Sequence, residues 1–321
     1  MNAQVHSVGE VDEFDLIAQI TRNVQLSPAI SIGPGDDAAG YLINGSALTS
    51  TDLLVEGVHF RRDWCSGEDV GRKAVAVNVA DLEAMGASPV AMVVGLAMPA
   101  DLELTWLREF NTGLLDEAGL AGISLVGGDL TRAPQIVVSV TVTGQSDAVA
   151  PVLRSGARPG EVIAVRGQLG WSAAGLATLA RGFRSPRAAV EAYRHPKVPY
   201  GAGRQAALAG ATAMLDVSDG LLSDLSHLAH DSGVCMAVDS ARLTVDEPVA
   251  TVAAALNKDP LEFILAGGED HALAATFPVG SVPEDWDVIG VVQARDDDSD
   301  DYILVDGSPW QGSTGWRHFG K

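Results

Sequence analysis

Between residues 10 and 25 apolar side chains recur every three or four positions. Phe14, Ile17, Ile20 and Val24 fall on one side, a spacing that predicts an amphipathic helix. Two further helices follow from the same period. Residues 68–86 align Val70, Ala74, Val77 and Met85, and residues 101–118 align Leu104, Leu107, Phe110 and Leu114. Strand-like runs are predicted at 47–51, 90–98, 123–126 and 135–143. The last of these is rich in β-branched residues and closes on Gly144. The first half thus reads as α+β, a mainly four-stranded sheet with helices.

The pattern breaks over 145–160, where Pro151, Gly156, Pro159 and Gly160 interrupt it. A domain boundary is expected there, dividing 1–148 from 149–321. Beyond it, strands are predicted at 161–165, 234–238, 271–277, 287–292 and 302–305. Helices are predicted at 171–181, at 219–231 with a stop at Gly233, and at 250–256. No short-period repeat is present. The acidic run at 296–301 lacks the glycine and terminal glutamate of an EF-hand loop and reads as a solvated turn.

Composition narrows the classes of function. A chain of 321 residues that is 47% hydrophobic can bury a core in each of two domains. Its formal charge of -21 argues against a nucleic acid or an anionic membrane as partner, since both demand a basic surface. Most of the 42 acids form a solvated surface on this reading. Cys65 and Cys235 are too few for a disulfide framework and are not spaced as metal ligands, as suits a reducing cytosol. Glu10, Asp12, Glu13 and Asp15 stand where a signal peptide would need basic and then apolar residues. The apolar run at 89–100 is too short to cross a bilayer. A cytoplasmic, soluble protein is expected.

Some of the acids stand apart. Gly-Pro-Gly-Asp36-Asp37, Ser50-Thr51-Asp52, Asn78-Val-Ala-Asp81, Gly127-Gly128-Asp129 and Asp216-Val-Ser218-Asp219-Gly220 put aspartate beside glycine or at the close of an apolar run. One Asp-Gly pair is an ordinary turn. Five together, most of them after a predicted strand and so expected at its end, suit a protein that holds hard cations against a polyphosphate. Magnesium takes few protein oxygens per ion, so several ions need several separated aspartates. Asp81 lies one helical turn after Asn78 on the same face, where a carboxylate either solvates outward or points at a cation.

Other signals are weaker. Gly33-Pro-Gly35 and Gly201-Ala-Gly203 open relaxed dinucleotide fingerprints. The first places carboxylates where a pyrophosphate would lie, and the second follows prolines rather than a strand. There is no Walker A pattern, and none of the four lysines sits in a glycine loop. Nucleotide phosphates would therefore be met by metal ions, backbone amides and arginine. Taken alone, His59 is structural or a substrate contact, and Arg154 is a surface charge or a phosphate clamp. Gly267-Gly268-Glu269-Asp270 is a helix C-cap or the edge of a site. A non-catalytic cation-binding module is the competing class, and the irregular spacing of the motifs counts against it.

Read in order, six stretches resemble the thiamine-monophosphate kinase family over nearly the whole chain. They are Ile-Gly-Pro-Gly-Asp-Asp-Ala-Ala, Ser-Thr-Asp-Leu-Leu-Val-Glu-Gly-Val-His-Phe, Ala-Val-Asn-Val-Ala-Asp-Leu-Glu-Ala-Met-Gly-Ala, Gly-Gly-Asp-Leu-Thr-Arg, Asp-Val-Ser-Asp-Gly-Leu and Gly-Gly-Glu-Asp. The wider superfamily, with aminoimidazole ribonucleotide synthetase and selenophosphate synthetase, shares the Gly-Asp-Asp and Gly-Gly-Asp elements. The Thr-Asp…His-Phe segment and Gly315-Trp316-Arg-His-Phe319 look specific to the kinase branch. The reactive cysteine or selenocysteine of a selenophosphate synthetase is absent from the N-terminal segment. A sibling ATP-dependent synthetase is the alternative activity.

The resemblance implies roles for particular residues. Asp37, Ser50, Thr51, Asp52, Asp81, Asp129, Asp216 and Asp219 correspond to magnesium ligands, with Asp52, Asp81 and Asp129 central to catalysis. Gly128, Asp129, Arg154 and Ser218 correspond to the site for ATP as co-substrate, and His59, Glu269 and Trp316 to contacts with thiamine monophosphate. It also implies two α+β domains, the second α/β-sandwich-like, in a homodimer whose N-terminal sheets, each a half-barrel, together close a barrel. The acceptor phosphate is already largely ionised at neutral pH, its second pKa being about 6, so no general base is required. Positioning and charge neutralisation would supply the catalysis.

Overall fold

In the computed structural model, which describes residues 6–147, 149–295 and 302–315, the first periodic stretch forms helix α1 (Glu13–Thr21). It starts later than the period suggests because Asp12 caps it, its side chain accepting the Phe14 N–H at 2.9 Å. A short antiparallel pair follows, β1 (Ile30–Ile32) and β2 (Gly40–Tyr41). Then come β3 (Ser46–Val55), α2 (Gly67–Ala84), β4 (Ser88–Met98), α3 (Leu104–Ala121), β5 (Ser124–Arg132) and β6 (Val137–Ser146).

The four long strands form one sheet in the order β3-β6-β4-β5. β4 and β5 run parallel with α3 as their crossover, and the other pairs are antiparallel. The sheet is open and does not close into a barrel. Strand alternation sends Val138, Val140 and Val142 of β6 into the core with Met92 and Leu96 of β4, all at most 3% exposed. α2 and α3 supply further buried residues, among them Val75, Val79, Leu107 and Leu114.

Two strands run further than the sequence suggests. β3 continues through Asp52 to Val55, and β5 continues through Gly127 and Gly128 to Arg132. Asp52 and Asp129, expected at strand ends, therefore lie within strands. Glycine is poor in strand propensity, yet here tight pairing demands it, because a Cβ on Gly128 would stand 2.1 Å from the Val94 carbonyl oxygen.

The chain divides into two units, one of residues up to 82 with Ser88–Asp147, the other of Glu83–Ala87 with the residues after 147. The second unit contains β7 (Val162–Arg166), α4 (Trp171–Leu179), α5 (Arg187–Arg194), α6 (Ala202–Ala209), β8 (Ala213–Val217), α7 (Leu221–Ser232) and β9 (Val234–Val238). It continues with α8 (Glu247–Leu256), α9 (Pro260–Ala266), β10 (Ala272–Phe277), β11 (Asp287–Ala294), β12 (Ile303–Val305) and β13 (Ser308–Pro309). Seven strands form a sheet in the order β13-β12-β9-β11-β7-β10-β8.

Both faces of that sheet are covered. Along β10, Leu273, Ala275 and Phe277 pack with Met214, Ala202, Ala206 and Trp286 on one side. Ala272 and Ala274 pack on the other with Ile163, Leu215, and Leu222 and Leu225 of α7. A strand buried on two faces reads as a near-continuous apolar run, as β10 does with Thr276 as its one polar residue. α7 ends where expected, on Gly233 with φ 66°. Among the described residues no helix is long and apolar enough to cross a membrane.

Candidate active site

In the first unit β3 pairs with β6 along its whole length, and its side chains alternate between the two faces. Ser50 and Asp52 share the face toward α2. Ser50 Oγ donates to Asp81 Oδ2 at 2.5 Å, and the Asp52 N–H donates to Asn78 Oδ1 at 2.8 Å. The Asn78 amide is buried, and its Nδ2 donates to the Ala74 carbonyl at 2.9 Å. Asn78 and Asp81 thus form a polar edge of α2 held against β3, and Asp81 is turned toward Ser50.

Thr51 lies on the opposite face. Its hydroxyl donates to the Val140 carbonyl at 2.9 Å and accepts from Thr141 Oγ1 at 3.0 Å. The alternation that joins Ser50 and Asp52 keeps the Thr51 side chain away from them.

His59 sits in the turn after β3. Its N–H donates to the Val55 carbonyl at 2.9 Å, and its Nδ1 accepts the Val55 N–H at 3.0 Å. The neutral ring must then carry its proton on Nε2, which makes that nitrogen a donor. The buried Lys73 ammonium reaches the His59 carbonyl at 3.4 Å.

The other acidic motifs of this unit line a cleft of about 450 Å3. One wall is the apolar side of α1, with Phe14, Ile17 and Ile20. The others are the Pro34–Ala39 loop, with Asp36 and Asp37, and the β5 edge, with Gly127, Gly128 and Asp129. Phe14 is 77% exposed, and the apolar face of this amphipathic helix lines the cleft. Asp52 and Gly128 lie on one cross-strand row, linked through Val140 and Val94. Three strand spacings separate β3 from β5, roughly 14 Å. The acids of this unit therefore form two stations on one sheet.

In the second unit a pair of loops gathers Asp216, Ser218, Asp219 and Glu269. Asp216 is near the end of β8, buried, with its Oδ2 2.9 Å from Nδ1 of the buried His271. The loop after β8 wraps around Asp224, whose Oδ2 accepts the N–H groups of Ser218, Asp219 and Gly220, each at 3.0 Å. Burial pushes the Asp224 carboxyl up to about 7, reinforced by the charges of Asp216 and Asp219. The facing loop, residues 267–271, donates from Glu269 N to the Ser218 carbonyl at 2.7 Å and from His271 N to the Val217 carbonyl at 2.8 Å. Glu269 and His271 both adopt left-handed backbone, at φ 62° and 51°.

Asp270 between them is buried and accepts the N–H groups of Gly170 and Ser172 at 2.5 and 2.8 Å. Burial pushes its carboxyl up to about 7 as well. The tail reaches the same place, since Ser223 N donates to the Thr314 carbonyl at 3.0 Å. Trp316 lies outside the described residues. Arg154 is exposed, its carbonyl accepting from Ser232 Oγ at 3.4 Å, and no described contact brings its guanidinium to Ser218. Gly201 and Gly203 hold no nucleotide fingerprint. Their N–H groups bind the buried Glu83 carboxylate at 2.7 and 2.9 Å, so α6 begins on an internal anion.

Among the described residues no group of three or more His, Cys, Asp or Glu is placed to hold a metal by itself. Carboxylates spread over separate stations, with hydroxyl and carbonyl oxygens nearby, form a donor set that magnesium accepts. It completes its octahedron with water and phosphate oxygens.

Comparison with known proteins places the chain in a family. The description "AIR synthase related protein, N-terminal domain" matches residues 35–146, and the corresponding C-terminal domain matches residues 158–302. Thiamine-monophosphate kinase of Mycobacterium tuberculosis is 46% identical over 314 residues, spanning 97% of this chain and 93% of that protein. The chain belongs to the thiamine-monophosphate kinases. The thiamine-monophosphate kinase of Corynebacterium glutamicum is 38% identical over 98% of this chain and 95% of that one. The solved structure of the Stenotrophomonas maltophilia thiamine-monophosphate kinase superposes with a TM-score of 0.80 at 30% identity, covering 96% of this chain and 100% of that chain. A structure described as AaThiL complexed with AMPPCP and TMP gives 0.79 at 29%, covering 99% and 100%. The hydrogenase maturation protein HypE in complex with ATP, at 21% identity and 0.67 over 81% of this chain and 80% of that one, shares the fold alone.

The sequence motifs mark the acids but not the side chains that support them. Asn78 was legible as sharing a helix face with Asp81. Asp224, four residues after Gly220 in Ser-Asp-Gly-Leu-Leu-Ser-Asp, had a faint signal as an acid in the first turn of a helix. His271 had none, because its partner lies 55 residues away.

Proposed function

We propose that this chain transfers the γ-phosphoryl group of ATP directly to the phosphate of thiamine monophosphate, forming thiamine diphosphate and ADP. The observation that carries this reading is the set of separate oxygen-donor stations in a chain 46% identical to a thiamine-monophosphate kinase over nearly its whole length. A relative of the same fold binding AMPPCP and TMP together supports it.

Asp37, Asp52, Asp81, Asp129, Asp216 and Asp219 would hold magnesium, with Ser50 contributing an oxygen. Thr51, whose hydroxyl is turned to the other face of β3, would not share that ion. Magnesium, when bound, would neutralise the phosphate charge that otherwise keeps two anions apart. Gly128 offers backbone at the β5 edge where no side chain can intrude, and it would take part in the ATP site with Asp129, Arg154 and Ser218. The apolar side of α1 beside the cleft suits a flat base. His59 would donate from Nε2 to the acceptor, and Glu269 and Trp316 would contact the rest of thiamine monophosphate. No general base is needed, since the acceptor phosphate is already ionised above about pH 6. Transfer would then be in line and without a phosphoenzyme.

A homodimer fits the first sheet. Leu53 is 53% and Val93 39% exposed on the face that the helices leave open, and a second copy would cover them. This reading places the step in the cytoplasm. The test is an ADP-release assay with ATP, magnesium and a panel of acceptors. Turnover with thiamine monophosphate supports the reading, and turnover only with a ribonucleotide substrate of a sibling synthetase would replace it.

A further inference from the structure

The pairing of Asp216 with His271 has a chemical consequence for cation binding. A carboxylate can only accept, so the 2.9 Å contact requires the proton on His271 Nδ1 and commits Asp216 Oδ2 to it. Both residues are buried, at 7% and 6% exposure, so the bond is shielded from competing water. Ring and backbone of His271 grip the same strand end, since its N–H also donates to the Val217 carbonyl at 2.8 Å. That double grip holds His271 at φ 51°, in the left-handed region that histidine visits more often than most non-glycine residues.

We propose that His271 is a positioning residue that fixes the Asp216 carboxylate as a cation ligand, leaving Oδ1 as the oxygen presented to the metal. The proposal rests on the reading of Asp216 as a magnesium ligand. Hydrogen-bond partners behind a ligating group set its orientation and basicity, and their loss typically weakens metal binding about 10–100-fold. Because the Gly267–His271 stretch also carries Glu269, whose N–H donates to the Ser218 carbonyl at 2.7 Å, the same loop ties the proposed acceptor contact to the proposed ligand.

Two substitutions separate the ring's role from the backbone's. His271→Asn keeps an N–H donor the same number of bonds from Cα as Nδ1 and tolerates left-handed backbone. His271→Gly tolerates that backbone and has no donor. The measurement is Mn2+ binding to the full-length protein by electron paramagnetic resonance, without nucleotide, alongside the magnesium dependence of kcat and KM. The expected result is near wild-type Mn2+ affinity in His271→Asn and a loss of about 10–100-fold in His271→Gly. His271→Ala serves as the donorless variant should the glycine protein not fold. Asp216→Asn is the control. If it weakens Mn2+ binding while the folded donorless variant binds as wild type, the role given to His271 is overturned. If Asp216→Asn itself leaves Mn2+ binding unchanged, the reading of Asp216 as a ligand falls, and the proposal falls with it.

Discussion

Gly128 lies so close to Val94 that a Cβ on it would stand 2.1 Å from the Val94 carbonyl oxygen, whereas one on Gly127 would meet nothing nearer than a Val93 methyl at 3.9 Å. Neighbouring glycines of one motif therefore have different reasons to be there. Gly128→Ala should part β5 from β4, costing about 1–3 kcal/mol and weakening ATP binding. Gly127→Ala should be close to neutral in stability. Urea unfolding of the two proteins checks this, and equal losses would contradict it.

The Ser50–Asp81 bond and the Asn78 contact to Asp52 make one station of α2 and β3. Asp52→Asn, Asp81→Asn and Asp129→Asn should each lower kcat at least ~100-fold while the protein stays folded, because a cation ligand acts on the transition state rather than the core. Near-normal turnover in all three would remove the basis for these stations.

His59 is held with Nδ1 as acceptor and Nε2 as donor. His59→Ala should raise the KM for thiamine monophosphate by roughly 10-fold, the scale of one hydrogen bond to a charged group, with little change for ATP. His59→Gln, which can place an amide donor near Nε2, should recover part of the loss. A parallel rise in both KM values would assign His59 to packing instead.

Asp270 gives a pH signature. Its folded carboxyl sits near 7 against an ordinary 3.8 because burial disfavours the charge. Between these values the folded state binds more protons than the unfolded state, so this group's contribution is fully present below about pH 4 and is lost as pH rises through 7. Asp270→Asn removes the titration but also a carboxylate oxygen that accepts a backbone N–H. The variant should be less stable than wild type at pH 5, and the gap should narrow by pH 8. Unfolding free energies at the two pH values, in EDTA, measure it, and a gap that widens with pH would refute the assignment.

Much of this was legible in the chain, for identifiable reasons. β9 spans Val234–Val238 as the apolar run predicts, and the β-branched run at 135–143 lies almost entirely in β6. α5, α6 and α9 are seven or eight residues long, too short for a 3.6-residue period to declare itself, and none was expected. β8 went unread because its last residues belong to the Asp216 motif, which looks like a turn. The site divides in the same way. Acids in glycine-rich motifs announce themselves, but the bonds of Asp52 to Asn78 and of Asp216 to His271 exist only once distant segments have met, whereas the Asp224 contacts form locally as the loop after β8 folds.

The central claim is direct transfer between two phosphates, and its most direct test follows the label from γ-32P-ATP. Incubated with magnesium and thiamine monophosphate, the protein should place the label in thiamine diphosphate, one per ADP formed, with no labelled protein, and EDTA should abolish the transfer. Label appearing only as inorganic phosphate, or no thiamine diphosphate from folded protein with both substrates present, would contradict the account.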